Sequence, residues 1–467
     1  MIEAERYDLV VIGCGPAGEK AAAQAAYFGK RVAVVDTLPV GGACAHTGTL
    51  PSKALRESAL QFSGIRQLGI RGVSVVLQDD LSVQDLMAHK QFVCQMEVKR
   101  ILANLDRHGI ELIGGRATLV GPHSISVALN EGGERSLEAE YILLATGTKP
   151  YRPDGMPFEN DAVFDSDQIL DMKSVPKSMI VYGAGVIGCE YAGMFSALGV
   201  DVTLIEPRTT ILPFVDREVA ETLIKMFQVS GMTIETGRIF ESCELTADGV
   251  SLTMDDESVL SAQTLLFAAG RGGNTDGLGL DAVNIEPNRR GLLVVSEQYQ
   301  TDVPSIYAVG DLIGFPALAS TSMEQGRLAV CHAFGFDYKS ELAQNLPYGI
   351  YTIPECGMVG ETEHELEARG RVYEVGRAFY GENARGCLSG GSAGMLKLVF
   401  CPKDKHLLGV HIVGERASDL VHMGLTVMQF GGTIDAFIDA CYNYPTLSEL
   451  YKYAAYDGLG RLQAKAG

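Results

Sequence analysis

The chain has 467 residues, of which 46% are hydrophobic and 21% charged, which excludes a disordered chain or a disulfide-stapled miniprotein. At roughly 150 residues per domain the length points to about three domains. The 58 acidic residues outnumber the 38 basic ones and give a net charge of −20, which argues against a nucleic-acid or anionic-membrane partner.

The N-terminus, Met1 to Arg6, is acidic and lacks the basic segment and apolar core of a signal peptide. No apolar run anywhere approaches the ~18 residues of a membrane span. A cytoplasmic location is expected. Residues 7–12 then read as a buried strand that ends in Gly13-Cys14-Gly15-Pro16-Ala17-Gly18. An alanine-rich helix is predicted over 17–28 and a second apolar strand over 31–36, ending in Asp36. Pro51 is expected to open a helix near 51–62, since proline suits the first helical position. A second helix is predicted over 82–107, and 110–145 reads as β-rich. A connector with Pro150, Pro153, Pro157 and Pro176 follows.

The opening pattern then recurs. Residues 179–182 read as a strand, Gly183-Ala184-Gly185-Val186-Ile187-Gly188 as a turn, 186–198 as a helix, and 201–206 as a strand ending in Glu206. Third glycine and acid are 18 residues apart in both copies (18 to 36, 188 to 206). Beyond them, 271–339 carries Thr301-Asp-Val-Pro-Ser-Ile-Tyr-Ala-Val-Gly-Asp311. The remainder alternates strands (371–379, 394–401, 406–413) with helices near 415–429 and 445–462. Four units are expected: 1–147, 148–270, 271–339 and 340–467. The ten cysteines include no C-x-x-C pair, so most read as small buried apolar side chains, and no metal site is expected.

A lone G-x-G-x-x-G is a weak signal. Two copies, each between strand and helix with an acid about 20 residues on, make a dinucleotide fingerprint. Its first glycine permits the turn, the second lets a pyrophosphate approach, and the third lets helix and strand pack closely. The free N–H groups of the helix start then face the phosphates. Asp36 and Glu206 are expected to accept hydrogen bonds from ribose hydroxyls. Two sites imply two dinucleotides.

Residues 41–53, Gly-Gly-Ala-Cys-Ala-His-Thr-Gly-Thr-Leu-Pro-Ser-Lys, resemble the redox-site stretch of the flavoprotein disulfide reductases, the family of glutathione reductase and dihydrolipoamide dehydrogenase. Ala145-Thr146-Gly147, Glu190 after the second fingerprint, Gly270-Arg271 and the 301–311 segment extend the resemblance over nearly the whole chain. It implies an α/β fold with two Rossmann-like dinucleotide-binding domains, for FAD (1–147) and NAD(P) (148–270). A central domain (271–339) completing the FAD site and a C-terminal α+β dimerisation domain (340–467) follow. On the FAD side it implies Gly13, Gly15, Gly18, Asp36, Gly42, Lys53, Ala117, Thr146, Gly147, Asp311 and Ala319 as binding residues. On the nicotinamide side it adds Gly183, Gly185, Gly188, Glu206, Arg208 and Gly270. It places Asp311 on the ribityl chain and Lys53 at the isoalloxazine, paired with Glu190, and implies that Tyr444 and Glu449 serve the site of the partner subunit in a homodimer.

Two departures narrow the reading. The family has two cysteines separated by four residues; here Cys44 is followed by Thr49. The family's His-x-His-Pro near the C-terminus is Tyr442-Asn443-Tyr444-Pro445. A disulfide needs two sulfurs, and a tyrosine with a pKa near about 10 is a poor base at neutral pH. Both halves of the thiol machinery are absent together. This pairing resembles the soluble pyridine nucleotide transhydrogenase branch, as do the stretches 270–276, 349–355 and 414–417. That branch implies hydride transfer between NAD(H) and NADP(H) through flavin N5, by a ping-pong cycle with no disulfide and with Cys44 as a spectator.

Glu206 suits the 2′-hydroxyl of NAD and repels the 2′-phosphate of NADP. Arg208 reads either as the phosphate's partner, if Glu206 swings away, or as a solvated surface charge. Two other readings therefore stay open: an NADH-preferring flavoprotein reductase of a quinone, a dye or oxygen, and a flavin-bound redox-sensing or scaffold dimer.

Overall fold

A computed structural model describes residues 4–37, 39–67, 81–88, 91–389 and 393–466. The first unit opens with β1 (Glu5–Ile12), α1 (Pro16–Tyr27) and β2 (Val32–Asp36). Short α2 (Gly42–His46) leads into α3 (Thr49–Gln67), followed by α4 (Val83–Ala88) and α5 (Gln91–Arg107). Pro51 is thus the third residue of its helix, not the first; its missing N–H still falls among the four that no helix can pair. The helix expected over 82–107 is described as α4 and α5, and residues 89–90 between them lie outside the described residues.

β3 (Glu111–Gly121), β4 (Ser124–Leu129) and β5 (Glu134–Leu144) form an antiparallel meander, whose outer strands pair in parallel with β2 and β1. β1 lies between β2 and β5, with Leu9 opposite both Val32 and Tyr141. Buried on both faces, these parallel strands read as unbroken apolar runs.

β6 (Thr148–Pro150) and β7 (Val163–Asp165) lead to β8 (Ser178–Tyr182), α6 (Val186–Ala197) and β9 (Asp201–Glu206). α7 (Arg217–Val229) and β10 (Thr233–Thr236) follow, then the antiparallel β11 (Phe240–Thr246), β12 (Gly249–Met254) and β13 (Val259–Ala262). β14 (Thr264–Phe267) completes a parallel sheet in the order β10-β9-β8-β14-β7. β15 (Arg271–Gly273) pairs with β6 and returns the chain to the first unit. There β16 (Ile306–Ala308) adds a parallel strand beside β5, and α8 (Ala319–Phe334) packs on α1, where a Cβ on Gly326 would collide with the Ala17 carbonyl.

The last unit is a five-stranded antiparallel sheet of β17 (Tyr348–Ile350), β18 (Glu355–Gly360), β19 (Glu374–Phe379), β20 (Met395–Phe400) and β21 (Leu407–Gly414). Around it lie α9 (Glu363–Ala368), α10 (Ala384–Leu388), α11 (Ala417–Gln429), α12 (Asp435–Asp439) and α13 (Glu449–Ala466). α13 starts four residues later than expected, after a turn at 447–448. The three units share a core that runs from Leu55 on α3 through Cys189 and Phe195 on α6 to Ile350 and Cys356. No helix among the described residues is long and apolar enough to cross a membrane.

Candidate active site

The two fingerprints fold alike. Gly15 caps α1 at φ −77°, ψ −173°, and Gly185 caps α6 at φ −74°, ψ −172°. Neither helix start is capped by a side chain, so its N–H groups remain for a ligand. Gly13 has φ +101°, which only glycine adopts freely, and a Cβ on Gly188 would collide with the Gly183 carbonyl. A Cβ on Gly185 would meet nothing within 4 Å, so space lies open where a pyrophosphate has to come. In each copy the strand-ending acid accepts the amide of the fingerprint's second residue: Cys14 N to Asp36 Oδ2 at 2.6 Å, Ala184 N to Glu206 Oε2 at 2.7 Å. The acid thereby ties the turn to the neighbouring strand.

The remaining FAD-side residues converge on the carboxyl ends of the first sheet, where open α/β sheets bind ligands. Gly42 lies against Gly15, and the Gly41 N–H donates to the Cys14 carbonyl at 2.7 Å. Thr146 Oγ1 donates to the Asn274 carbonyl at 2.8 Å, and Asn274 N to the Gly147 carbonyl at 2.9 Å. Asp311 follows β16, in a 3-10 turn. Burial pushes its carboxyl above the usual range, against the pull of Arg271 and Thr148. Among the described hydrogen bonds its carboxylate accepts a long one of 3.5 Å from Thr148 Oγ1. A half-buried carboxylate so weakly satisfied suits a polar ligand group such as a ribityl hydroxyl. Ala319 is the first residue of α8. Ala117 is 4% exposed on β3 with its side chain in the core, so anything it offers a cofactor comes from its backbone. Gly270, at φ +127°, opens the segment that returns through β15. The residues present fit an FAD.

Lys53 and Glu190 meet across domains. α3 presents the ammonium, and α6 presents the carboxylate two residues beyond Gly188. Lys53 Nζ lies 2.7 Å from Glu190 Oε2, with Glu190 5% exposed. Thr49 stands beside Cys44, and burial raises the Cys44 thiol although the Thr49 side chain pulls the other way. The cysteine is free and the site holds a protonated thiol, not a disulfide.

At the second fingerprint the structure pairs Arg208 with Glu206. Glu206 is 2% exposed and anchored by two backbone amides, Ala184 N at 2.7 Å and Arg208 N at 3.0 Å, and is not swung away here. Arg208 folds back on it instead, with Nε 2.7 Å from Oε1 and Nη2 3.1 Å from Oε2, while its own side chain is 55% exposed. Burial alone would raise the Glu206 carboxyl; the Arg208 side chain and the amides outweigh it and hold the group below the usual range.

Tyr444 is 71% exposed, and Glu449 begins α13, where it accepts from Thr446 N at 3.5 Å. Within one chain neither joins Lys53 or Glu190 among the described hydrogen bonds and ion pairs. The sequence reading passed over Tyr348 and Tyr351 of the 349–355 neighbourhood. Burial pushes the Tyr348 hydroxyl up to about 12, and the charges of Glu190 and Asp311 add to the rise.

The chain belongs to the pyridine nucleotide-disulphide oxidoreductases: the model of that family matches residues 7–326, and the family's dimerisation domain matches 346–455. Within it, the chain is 45% identical over 460 residues, 98% of each chain, to a soluble pyridine nucleotide transhydrogenase of Mycobacterium tuberculosis. It is 40% identical to one of Vibrio parahaemolyticus, over 99% of this chain and 100% of that one. Among solved structures it resembles LpdA from Mycobacterium tuberculosis (TM-score 0.88, 28% identity, 97% of this chain and 99% of that one). It also resembles the HOCl-induced flavoprotein disulfide reductase RclA from Escherichia coli (TM-score 0.87, 25% identity, 97% and 99%).

Proposed function

We propose that this protein is a soluble pyridine nucleotide transhydrogenase, moving hydride between NAD(H) and NADP(H) in a ping-pong cycle without a redox disulfide. The observation that carries the reading is the intact Lys53–Glu190 pair beside a Cys44 whose partner position is a hydroxyl, Thr49. Bound FAD supplies a hydride acceptor and donor at its N5, the chemistry the polypeptide lacks. The first fingerprint, Asp36 and Asp311 hold that cofactor in 1–147 and 271–339; the second fingerprint with Glu206 and Arg208 holds the exchanging nucleotide in 148–270.

Lys53 places a positive charge at the cofactor, which favours the anionic reduced form, and Glu190 fixes where that charge stands. Thr49 withholds the thiol relay by which electrons would leave toward a disulfide. Arg208 neutralises Glu206 in the absence of ligand and turns outward to a 2′-phosphate; the carboxylate it uncovers serves the 2′-hydroxyl of NAD. Segment 340–467 pairs two chains into a cytoplasmic homodimer in which Tyr444 and Glu449 complete the site of the partner subunit.

The test is anaerobic. Purified protein is mixed with NADPH and a spectrally distinct NAD analogue. Reduction of the analogue by a yellow protein with about one FAD per chain supports the reading; a colourless protein that FAD cannot reconstitute, or no reduction, overturns it. Glu206 favours a second reading, an NADH-preferring reductase of a quinone, dye or oxygen, and rapid NADH oxidation by those acceptors alone would decide for it.

A further inference from the structure

We propose that Tyr351 is a positioning residue for Lys53: its ring face and its backbone N–H hold the ammonium and its carboxylate partner as one unit. The proposal rests on the functional reading only in that Lys53 faces a bound flavin.

Tyr351 lies between β17 and β18, about 300 residues from Lys53 in the chain (351 − 53 = 298). Lys53 Nζ stands 4.6 Å from the centre of its ring. The Tyr351 N–H donates to Glu190 Oε1 at 2.8 Å, while Glu190 Oε2 takes Lys53 at 2.7 Å. One residue therefore touches both members of the pair. The ring is itself fixed. Its hydroxyl lies toward the Ser418 side chain, which pulls its pKa down against the rise from burial. Ser418 Oγ donates to Glu355 Oε2 at 2.6 Å, and Arg56, one turn beyond Lys53 on α3, pairs with Glu355 at 2.9 Å. Gly349 makes room for this arrangement: a Cβ there would stand 3.2 Å from Ser418 Cβ and 3.5 Å from Tyr351 Cε2.

The physical logic lies in what a ring does that a second carboxylate would not. Lysine is a point charge on a flexible four-carbon stem, and one carboxylate leaves its direction loosely set. An aromatic face attracts the ammonium without cancelling its charge. Lys53 is thereby held in place while its net positive field remains available, and loop 351–355, anchored on α11, becomes part of the electrostatics of the site.

The test uses full-length FAD-loaded protein and two readouts: the flavin midpoint potential without nucleotide, and anaerobic flavin reduction by NADH with rate and KM separated. Tyr351→Leu should move the potential in the same negative direction as Lys53→Met. It should slow reduction at saturating NADH by roughly two- to thirtyfold, the span of a cation–π contact, with KM unchanged. Tyr351→Phe, which keeps the ring face, should hold the wild-type potential. Added to Lys53→Met, Tyr351→Leu should do nothing more, since the two act through one charge. Should Tyr351→Leu fail to fold, phenylalanines of increasing fluorination at 351 keep the shape and weaken the ring face stepwise; potential and rate should follow that series. A potential indifferent to fluorination or to Tyr351→Leu, or effects that add to those of Lys53→Met, overturns the proposal. A chain that passes its electrons to a quinone refutes the transhydrogenase reading and leaves these outcomes for Tyr351 untouched.

Discussion

Thr49 decides the chemistry at the residue scale. Its hydroxyl stands beside the Cys44 thiol at the position of the family's second cysteine, and burial raises that thiol's pKa. A thiol held protonated is a poor nucleophile. Cys44→Ser should therefore change anaerobic flavin reduction by less than about tenfold, and the protein should turn over neither dihydrolipoamide nor glutathione disulfide near the roughly 10 per second of a median enzyme. A larger loss or such turnover, in steady-state assays, would assign the thiol a role. On the proposed function, Glu206 would set nucleotide choice in the same local way. A charge-assisted hydrogen bond to the NAD ribose is worth roughly 1.5–3 kcal/mol, so NADH should be the better donor by at least about tenfold. Glu206→Gln should narrow the gap by improving NADPH. Arg208→Ala should widen it, because Glu206 then meets the 2′-phosphate with no counter-charge. Stopped-flow flavin reduction with each donor measures both effects, and a wild type that prefers NADPH refutes the assignment.

Between elements, a buried electrostatic joint lies away from the cofactor residues. Asp216 caps α7 by accepting from Glu218 N at 3.1 Å, and it also receives Lys397 of β20 at 2.8 Å, with both side chains 0% exposed. Glu218 and Glu363 approach the same ammonium, so three carboxylates from two units share one buried cation. Asp216 and Glu218 are held below the usual carboxylate range, since Lys397 (with Arg377 for Glu218 and His411 for Asp216) outweighs the burial that would raise them. Lys397→Met should cost about 3–5 kcal/mol, because it strands buried charge, and thermal unfolding should show it. His411 on β21 adds a pH dependence. Burial lowers its pKa despite Asp216 and the Glu361 carbonyl, with Lys397 opposing protonation as well. A base with a folded pKa below its unfolded value stabilises fully above about pH 6.5 and loses that contribution as pH falls toward the folded value. Melting temperature should fall between about pH 7 and pH 5, and His411→Asn should flatten that slope. An unchanged slope would exclude His411 as its source.

For the whole molecule, the large apolar side chains left exposed on segment 340–467 include Phe430 at 85%, Tyr444 at 71% and Tyr453 at 54%. These residues fall within the match to the family's dimerisation domain. If Tyr444 and Glu449 complete the site of the partner subunit, two inactive variants should rescue each other. Lys53→Met and Tyr444→Leu chains, unfolded together and refolded, should yield mixed dimers with one intact site each. Refolded separately, each should stay slow. Absence of recovery in mixed dimers confirmed by mass would place Tyr444 outside the site.

What the sequence determined by itself is local. A strand, a glycine turn, a helix and an acid 18 residues on are bound by neighbouring backbone geometry, so both fingerprints, Asp36 and Glu206 were legible as spacing. The loss of the disulfide was legible too, since a missing sulfur is a fact of composition. The tertiary structure decided what depends on packing between distant segments. It folded Arg208 onto Glu206 instead of freeing either, because Glu206 is buried against the fingerprint amide. It added β16 to the first sheet some 160 residues after β5 (306 − 144 = 162). It gathered Asp216, Lys397 and His411 into one buried cluster, and it laid Tyr351 over Lys53. No periodicity announces such partners: a side chain's neighbour across a core is chosen by how sheets and helices stack, and only the folded chain brings residues hundreds apart within hydrogen-bonding reach.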